Sequence, residues 1–220
     1  MTAKDMASVI LPTSNRYPVA LENIENILAQ SYEPLEVIVC DDSDKLYYQA
    51  EGKVFQESLK KWPNVKYVYC ARFDHLGNKD YGLARARNFG VIESQGQYTI
   101  LLDDRITPAQ PDMVAVFVKR LSEGDKIWCF GDKGGNKSSF VENCSAILRH
   151  HLVDAGMFCE RIDKYGGMTR ELHGRFSRQG FKFVYLPDAK AKQVCKSRGW
   201  DKKPAQIEEM KKLVQRMTAR

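Results

Sequence analysis

Paired cysteines are missing from this chain. Its six cysteines, Cys40, Cys70, Cys129, Cys144, Cys159 and Cys195, stand singly with no Cys-x-x-Cys spacing. That pattern argues against a zinc or disulfide framework and reads as reduced, buried thiols in a cytoplasmic protein. Long apolar runs are missing too. None approaches the roughly 20 residues of a membrane span, and the opening MTAKDMAS has no apolar core of the signal-peptide kind. Any membrane contact is therefore expected to be peripheral, at the inner face. No internal repeat or low-complexity tract is present. The stretch Gly131 to Ser139 is glycine-rich but lacks the spacing and the closing Gly-Lys-Ser/Thr of a phosphate loop, so it is given no phosphate role.

What is present points to one α/β domain. A chain of 220 residues that is 43% hydrophobic has enough apolar material for a single core and too little length for a second full domain. The net charge of +6 is uneven: residues 190–220 hold 10 of the 34 Lys and Arg residues but only 3 of the 28 Asp and Glu residues, so the excess lies in the tail. After Pro204, the residues Ile207, Met210, Val214 and Met217 recur at helical spacing, with Lys211, Lys212, Arg216 and Arg220 on other faces. This predicts a basic amphipathic helix suited to an anionic surface, either a membrane or a nucleic acid.

Ser8 to Leu11 is a short apolar run without a polar face, as in a strand covered on both sides. Leu21, Ile24, Ile27 and Leu28 then mark a helix, and Leu35 to Cys40 a second buried strand ending in Asp41-Asp42-Ser43. Strand, helix, strand predicts a parallel pair. Further on, a basic helix containing Arg85 and Arg87 precedes an apolar strand that ends in Asp103-Asp104-Arg105. Open α/β sheets bind ligands outside the carboxyl ends of their strands, so these carboxylates belong to a site whose natural guest is a cation or a diphosphate.

Taken in order, Pro12-Thr13-Ser14-Asn15-Arg16, Gln30-Ser31-Tyr32, Asp41-Asp42, Arg87-Asn88-x-Gly90, Leu102-Asp103-Asp104, Gly166-Gly167, Glu171-Leu172, Arg175 and Tyr185-x-Pro187-Asp188-Ala189 resemble the family-two glycosyltransferases of the GT-A fold. The resemblance implies a single Rossmann-like α/β domain over residues 1–189, with a mostly parallel central sheet flanked by helices. Residues 8–105 would form the nucleotide-sugar half and 106–189 the acceptor half, followed by the basic tail at 190–220. It implies transfer of a sugar, with inversion, from a nucleotide-diphospho sugar, a UDP-sugar being favoured. The donor would meet Pro12, Thr13, Ser14 and Arg16 of the first loop, Asp42 at the base, Arg87 toward the diphosphate, and Asp103, Asp104 and Arg105. In relatives such carboxylates hold Mg²⁺ or Mn²⁺, which makes Asp104 and Asp103 the implied metal ligands.

Three positions depart from the family pattern around one reaction centre. Aligned on the common Leu-Asp-Asp-Asp form, Arg105 stands where a third Asp is common; aligned on shorter variants, Asp104 remains the ligand and Arg105 merely follows it. Met168-Thr169 replaces the Glu-Asp that supplies the general base, and Lys192 or Gln193 replaces a His. The base is then sought in Glu171, or in Asp163 and Glu160 of the preceding loop. Two further readings follow: an enzyme that glycosylates modified bases of nucleic acid, and a nucleotide-sugar binding protein that has lost catalysis.

Overall fold

The computed structural model describes residues 3–70, 82–134, 139–162 and 167–195, together with Lys212 and Gln215. Strand β1 (Ala3–Thr13) contains the first apolar run, and every residue from Ala7 to Thr13 is buried. Polar alternation is absent because both faces are covered: Val9 and Leu11 enter one core layer, Ile10 the other. Helix α1 (Tyr17–Leu28) has Pro18 in its first turn and buries Ala20, Asn23, Ile24 and Ile27 along one stripe. It returns the chain to β2 (Leu35–Asp41), which pairs parallel to β1 with Val9 opposite Val37 and Thr13 opposite Asp41.

Helix α2 (Lys45–Tyr47), a π-turn (Tyr48–Gly52) and α3 (Lys53–Leu59) lead to β3 (Val65–Tyr69), parallel to β2. Helix α4 (Leu83–Glu93) crosses the sheet at Gly90, where a Cβ would lie 2.4 Å from Ile10 Cγ2 and 2.6 Å from Cys40 Sγ. Only a residue without a side chain permits that approach. Strand β4 (Gly96–Leu102) lies parallel to β1 on its other side.

The remaining elements are β5 (Ile106–Pro108), α5 (Met113–Ser122), β6 (Ile127–Asp132), β7 (Cys144–Leu148), α6 (Arg149–Asp154), α7 (Met168–Arg178) and β8 (Lys182–Gln193). The strand order is β3-β2-β1-β4-β7-β6-β8-β5. Strand β7 runs antiparallel between β4 and β6, β6 and β8 are parallel, and β5 is antiparallel to β8. One core layer holds α1, α3 and α5; the other holds α4, α6 and α7. All six cysteines are free, and Cys40, Cys70, Cys129 and Cys144 are buried. Among the described residues no helix is long and apolar enough to cross a membrane.

Strand β8 runs past residue 189, where the sequence reading ends the domain. Ala191, Lys192 and Gln193 pair with Pro108, Thr107 and Ile106. Ala189 and Ala191 are buried while Lys190 and Lys192 are exposed, the two-residue alternation of a strand with one covered face. Those lysines belong to the sheet. The apolar stripe predicted at Ile207, Met210, Val214 and Met217 lies outside the described residues, although Lys212 and Gln215 are helical and exposed.

At the foot of the sheet Glu36 is buried, and it accepts hydrogen bonds from Ser8 Oγ at 2.7 Å and Gln95 N at 2.6 Å while pairing with Lys66 Nζ at 2.9 Å. Burial raises the pKa of this carboxyl, but the Gln95 N–H, the Ser8 hydroxyl and Lys66 outweigh burial and hold it below the usual range. Glu36→Ala would strand these donors without an acceptor and is expected to destabilise the fold by about 3 kcal/mol in urea unfolding. A loss under about 1 kcal/mol would mean that water replaces the carboxylate there.

Candidate active site

Five strand ends build the site. Parallel pairing aligns the carboxyl ends of β1, β2 and β4. The antiparallel register of β7, with Cys144 opposite Leu102, brings the residues just before it, Glu142 and Asn143, to the same edge. Strand β6 is antiparallel to β7 and adds Lys133, which follows its last residue.

Asp104 lies deepest. It is fully buried, accepts the Thr13 hydroxyl at 2.9 Å on Oδ2, and pairs through Oδ1 with Arg16 Nη2 at 2.8 Å. The turn carrying it is gripped from below by Asn23 of α1, whose Nδ2 donates to the carbonyls of Asp103 (3.3 Å), Asp104 (3.2 Å) and Ile106 (2.8 Å). Burial pushes the Asp104 carboxyl up to about 6, against the opposing pull of Arg16, and Asp103 adds to the rise.

Asp103 faces a second set of partners. Its Oδ1 meets Arg87 Nη2 at 2.8 Å, while Oδ2 accepts from Asn143 Nδ2 at 3.2 Å and lies 3.5 Å from Arg105 Nη2. Arg87 is no solvated helix residue: it is buried, and its Nη1 reaches Glu142 Oε1 at 3.1 Å. The other oxygen of Glu142 accepts the Thr169 hydroxyl, and Lys133 Nζ donates to Asn143 Oδ1. Burial lowers the Lys133 pKa, opposed by the neighbouring Cys144, Asp103 and Glu142. The sequence reading missed Asn23, Lys133, Glu142 and Asn143, and it gave the segment around Lys133 no phosphate role.

Asp42 is buried, not an open loop residue. Its carboxylate rests against the start of α4, where a Cβ on Gly82 would lie 2.2 Å from Asp42 Oδ1, and Arg85 Nη2 stands 3.9 Å away. Pro12 closes β1 beside Cys40 of β2. Beyond it, the Ser14 hydroxyl donates to the Asp42 carbonyl at 3.1 Å, and Asn15, at φ 53°, exchanges side-chain hydrogen bonds with Asp44. Asp41 is structural, accepting the hydroxyls of Tyr17 at 2.7 Å and Tyr67 at 2.5 Å. Tyr17 is buried and stacked on Phe55.

Thr13, Ser14, Arg16, Asp42, Arg87, Asp103, Asp104 and Arg105 are thus brought together. Glu171 is not. Residues two apart on an α-helix point about 200° apart, so with Thr169 turned to Glu142 the Glu171 side chain faces away. Both of its oxygens bind Arg175, at 2.6 and 3.1 Å, and Arg175 also ties down the carbonyls of Ala155 and Met157. Glu160 accepts from Asn88 Nδ2 at 2.8 Å. Asp163 lies outside the described residues.

Residues 8–169 match the family model described as Glycosyl transferase family 2. The chain belongs to that family. It is 33% identical over 96 residues to an uncharacterized glycosyltransferase of Rickettsia bellii, covering 44% of this chain and 12% of that protein. It is 26% identical over 122 residues to the glycosyltransferase GlyG of Streptococcus pneumoniae, covering 55% of this chain and 36% of GlyG. This family-2 chain therefore spans well under half the length of these relatives. Among solved structures, it resembles the mannosyltransferase PcManGT of Pyrobaculum calidifontis, in complex with GDP-Man and Mn²⁺, at TM-score 0.66 and 19% identity, covering 89% of this chain and 58% of that one. GalNAc-T7 with UDP, GalNAc and Mn²⁺ aligns at TM-score 0.71 and 17% identity over 90% of this chain and 45% of that one. The fold is GT-A: one α/β domain with a mostly parallel sheet flanked by helices.

A divalent ion does not fit this family-2 site as its side chains stand. All four carboxylate oxygens of Asp103 and Asp104 already face Thr13, Asn143 or a guanidinium. A dipositive ion about 4 Å from a guanidinium is repelled by on the order of 8 kcal/mol at an effective dielectric of about 20. The Asp125, His150 and His151 side chains do converge, with ligand atoms within 4.8 Å of one another. They lie past the end of β7 opposite Tyr98, at the far edge of the sheet from Asp103.

The Asp104 pKa, raised above its unfolded value near 3.8, makes a contribution that favours folding below that value and is lost as pH rises through about 6. Relative to Asp104→Asn, the wild type is expected to lose up to about 3 kcal/mol between roughly pH 4 and pH 7, read by urea unfolding at each pH. A difference that does not change with pH would place the Asp104 titration outside this window.

Proposed function

We propose that this domain moves one sugar, with inversion, from a nucleotide-diphospho sugar to an acceptor hydroxyl. The observation that carries the reading is the convergence, at the carboxyl edge of β1, β2 and β4, of the Thr13–Arg16 loop, Asp42 and the Asp103–Arg105 turn. Asp42 receives the base, the Thr13–Arg16 loop lies along the nucleotide, and the diphosphate faces Arg105. GDP-Man in PcManGT and UDP in GalNAc-T7 support a nucleotide donor, with a UDP-sugar favoured here. The acceptor approaches from the β7 and α7 side. A basic tail suits an acceptor held on an anionic surface, as a membrane-linked saccharide would be, with modified nucleic acid the alternative.

In a single displacement a carboxylate takes the acceptor proton, the freed oxygen attacks the anomeric carbon, and the nucleotide diphosphate departs from the opposite face. Two carboxylates contend for the first role. Glu171 was favoured by sequence, but its oxygens are engaged by Arg175. Glu142 is favoured by its place: it shares Arg87 with Asp103 and accepts the hydroxyl of Thr169, the residue standing where the family carries its acid.

Two experiments test this. Asp42→Asn removes one charged acceptor and is expected to weaken UDP or GDP binding about tenfold in calorimetry; unchanged affinity for both would remove Asp42 from the donor site. With a screened donor, release of nucleotide diphosphate is expected to fall roughly 100-fold in Glu142→Gln, with donor Kd nearly unchanged. Glu171→Gln should instead lower stability. A 100-fold fall in Glu171→Gln at normal stability would return the base to α7. Binding without any release in the wild type would favour a protein that has lost catalysis.

A further inference from the structure

We infer that the donor's diphosphate is neutralised by side-chain cations, with Arg105 and Lys133 facing it and Arg16 behind, and that no divalent ion takes part in binding it. This rests on the donor reading above. Four cations, Arg16, Arg87, Arg105 and Lys133, surround three carboxylates, Asp103, Asp104 and Glu142. The cluster carries a surplus positive charge before any ligand arrives. A dipositive ion would enlarge that surplus; a diphosphate, with one negative charge on each phosphate, offsets it.

The engagement of the cations differs in a way that separates structural from ligand-facing groups. Arg87 is sealed between Asp103 and Glu142 and holds the carboxylates in place. Among the described residues, the Arg105 side chain pairs only with Asp103, at 3.5 Å. Arg16 spends one nitrogen on Asp104, and its buried Nε and Nη1 find no partner among the described residues. A guanidinium with buried donors still to satisfy is suited to phosphate oxygens, which accept two N–H groups at once. Lys133 donates to a neutral amide, Asn143, and therefore keeps its charge for an anion.

The test is calorimetric titration of UDP and GDP into the full chain, with EDTA and then with Mn²⁺, alongside Arg105→Ala and Lys133→Ala. The expected result is a Kd that agrees within about threefold between EDTA and Mn²⁺ and weakens about tenfold in each variant, with no rescue by Mn²⁺. Mn²⁺ held at the Asp125, His150 and His151 group would leave nucleotide affinity unchanged, so affinity is the quantity to read. Binding that disappears in EDTA, returns with Mn²⁺ and ignores Arg105→Ala would overturn the inference while leaving the donor reading intact. Failure of both nucleotides to bind under either condition would overturn the donor reading and the inference with it.

Discussion

The site depends on one costly arrangement: a carboxylate, Asp104, buried at the junction of two loops. Burial opposes its charge, and the loops after β1 and β4 are where its compensation comes from, the Thr13 hydroxyl and the Arg16 guanidinium on one side and the Asn23 grip on its own turn on the other. Removing a partner from such a group leaves a buried charge without its counterpart, which is far more damaging than losing a surface pair. The first loop and the acidic turn are therefore fixed relative to each other. Everything around them, from Ser14 on Asp42 to Asp103 under Arg87, takes its position from that joint.

Around the joint, Arg16, Asp104, Asp103, Arg87 and Glu142 follow one another in contact or as chain neighbours, so each carboxylate has a guanidinium against it. Arg105 joins this series at Asp103, Lys133 approaches through Asn143 beside Glu142, and Glu142 meets Thr169 at the start of α7.

Much of this was legible before folding. Asp103 and Asp104 announce themselves by ending an apolar run, and the first loop by following one; their parallel strands put them on one edge. Asn23 left a weaker signal that went unread, a polar residue on a buried helical stripe with Ala20, Ile24 and Ile27; Arg87, which the family order did bring out, sits likewise with Ala84, Asn88 and Val91. Glu142-Asn143 mirrors Asp103-Asp104, preceding a buried strand where the aspartates follow one. That likeness means something only if β7 runs antiparallel, and strand direction is set by long-range pairing that local sequence does not encode. Glu171 misled for the opposite reason, since the family order fixes its helix but not which way the side chain turns. Net charge likewise concealed that Lys190 and Lys192 alternate with buried alanines inside β8.

The last strand leaves the sheet beside the site. After β8 ends at Gln193, the Val194 N–H donates to the Arg105 carbonyl at 2.9 Å, so the segment leading to the basic tail starts one hydrogen bond from the acidic turn. A chain cut at residue 189 would lose that bond and the β5 pairing together, and any defect it showed would report a loosened turn instead of a missing tail. Cutting after Cys195 separates the two. By the same geometry, tension on the tail from a surface it grips would pull first on the backbone of Arg105.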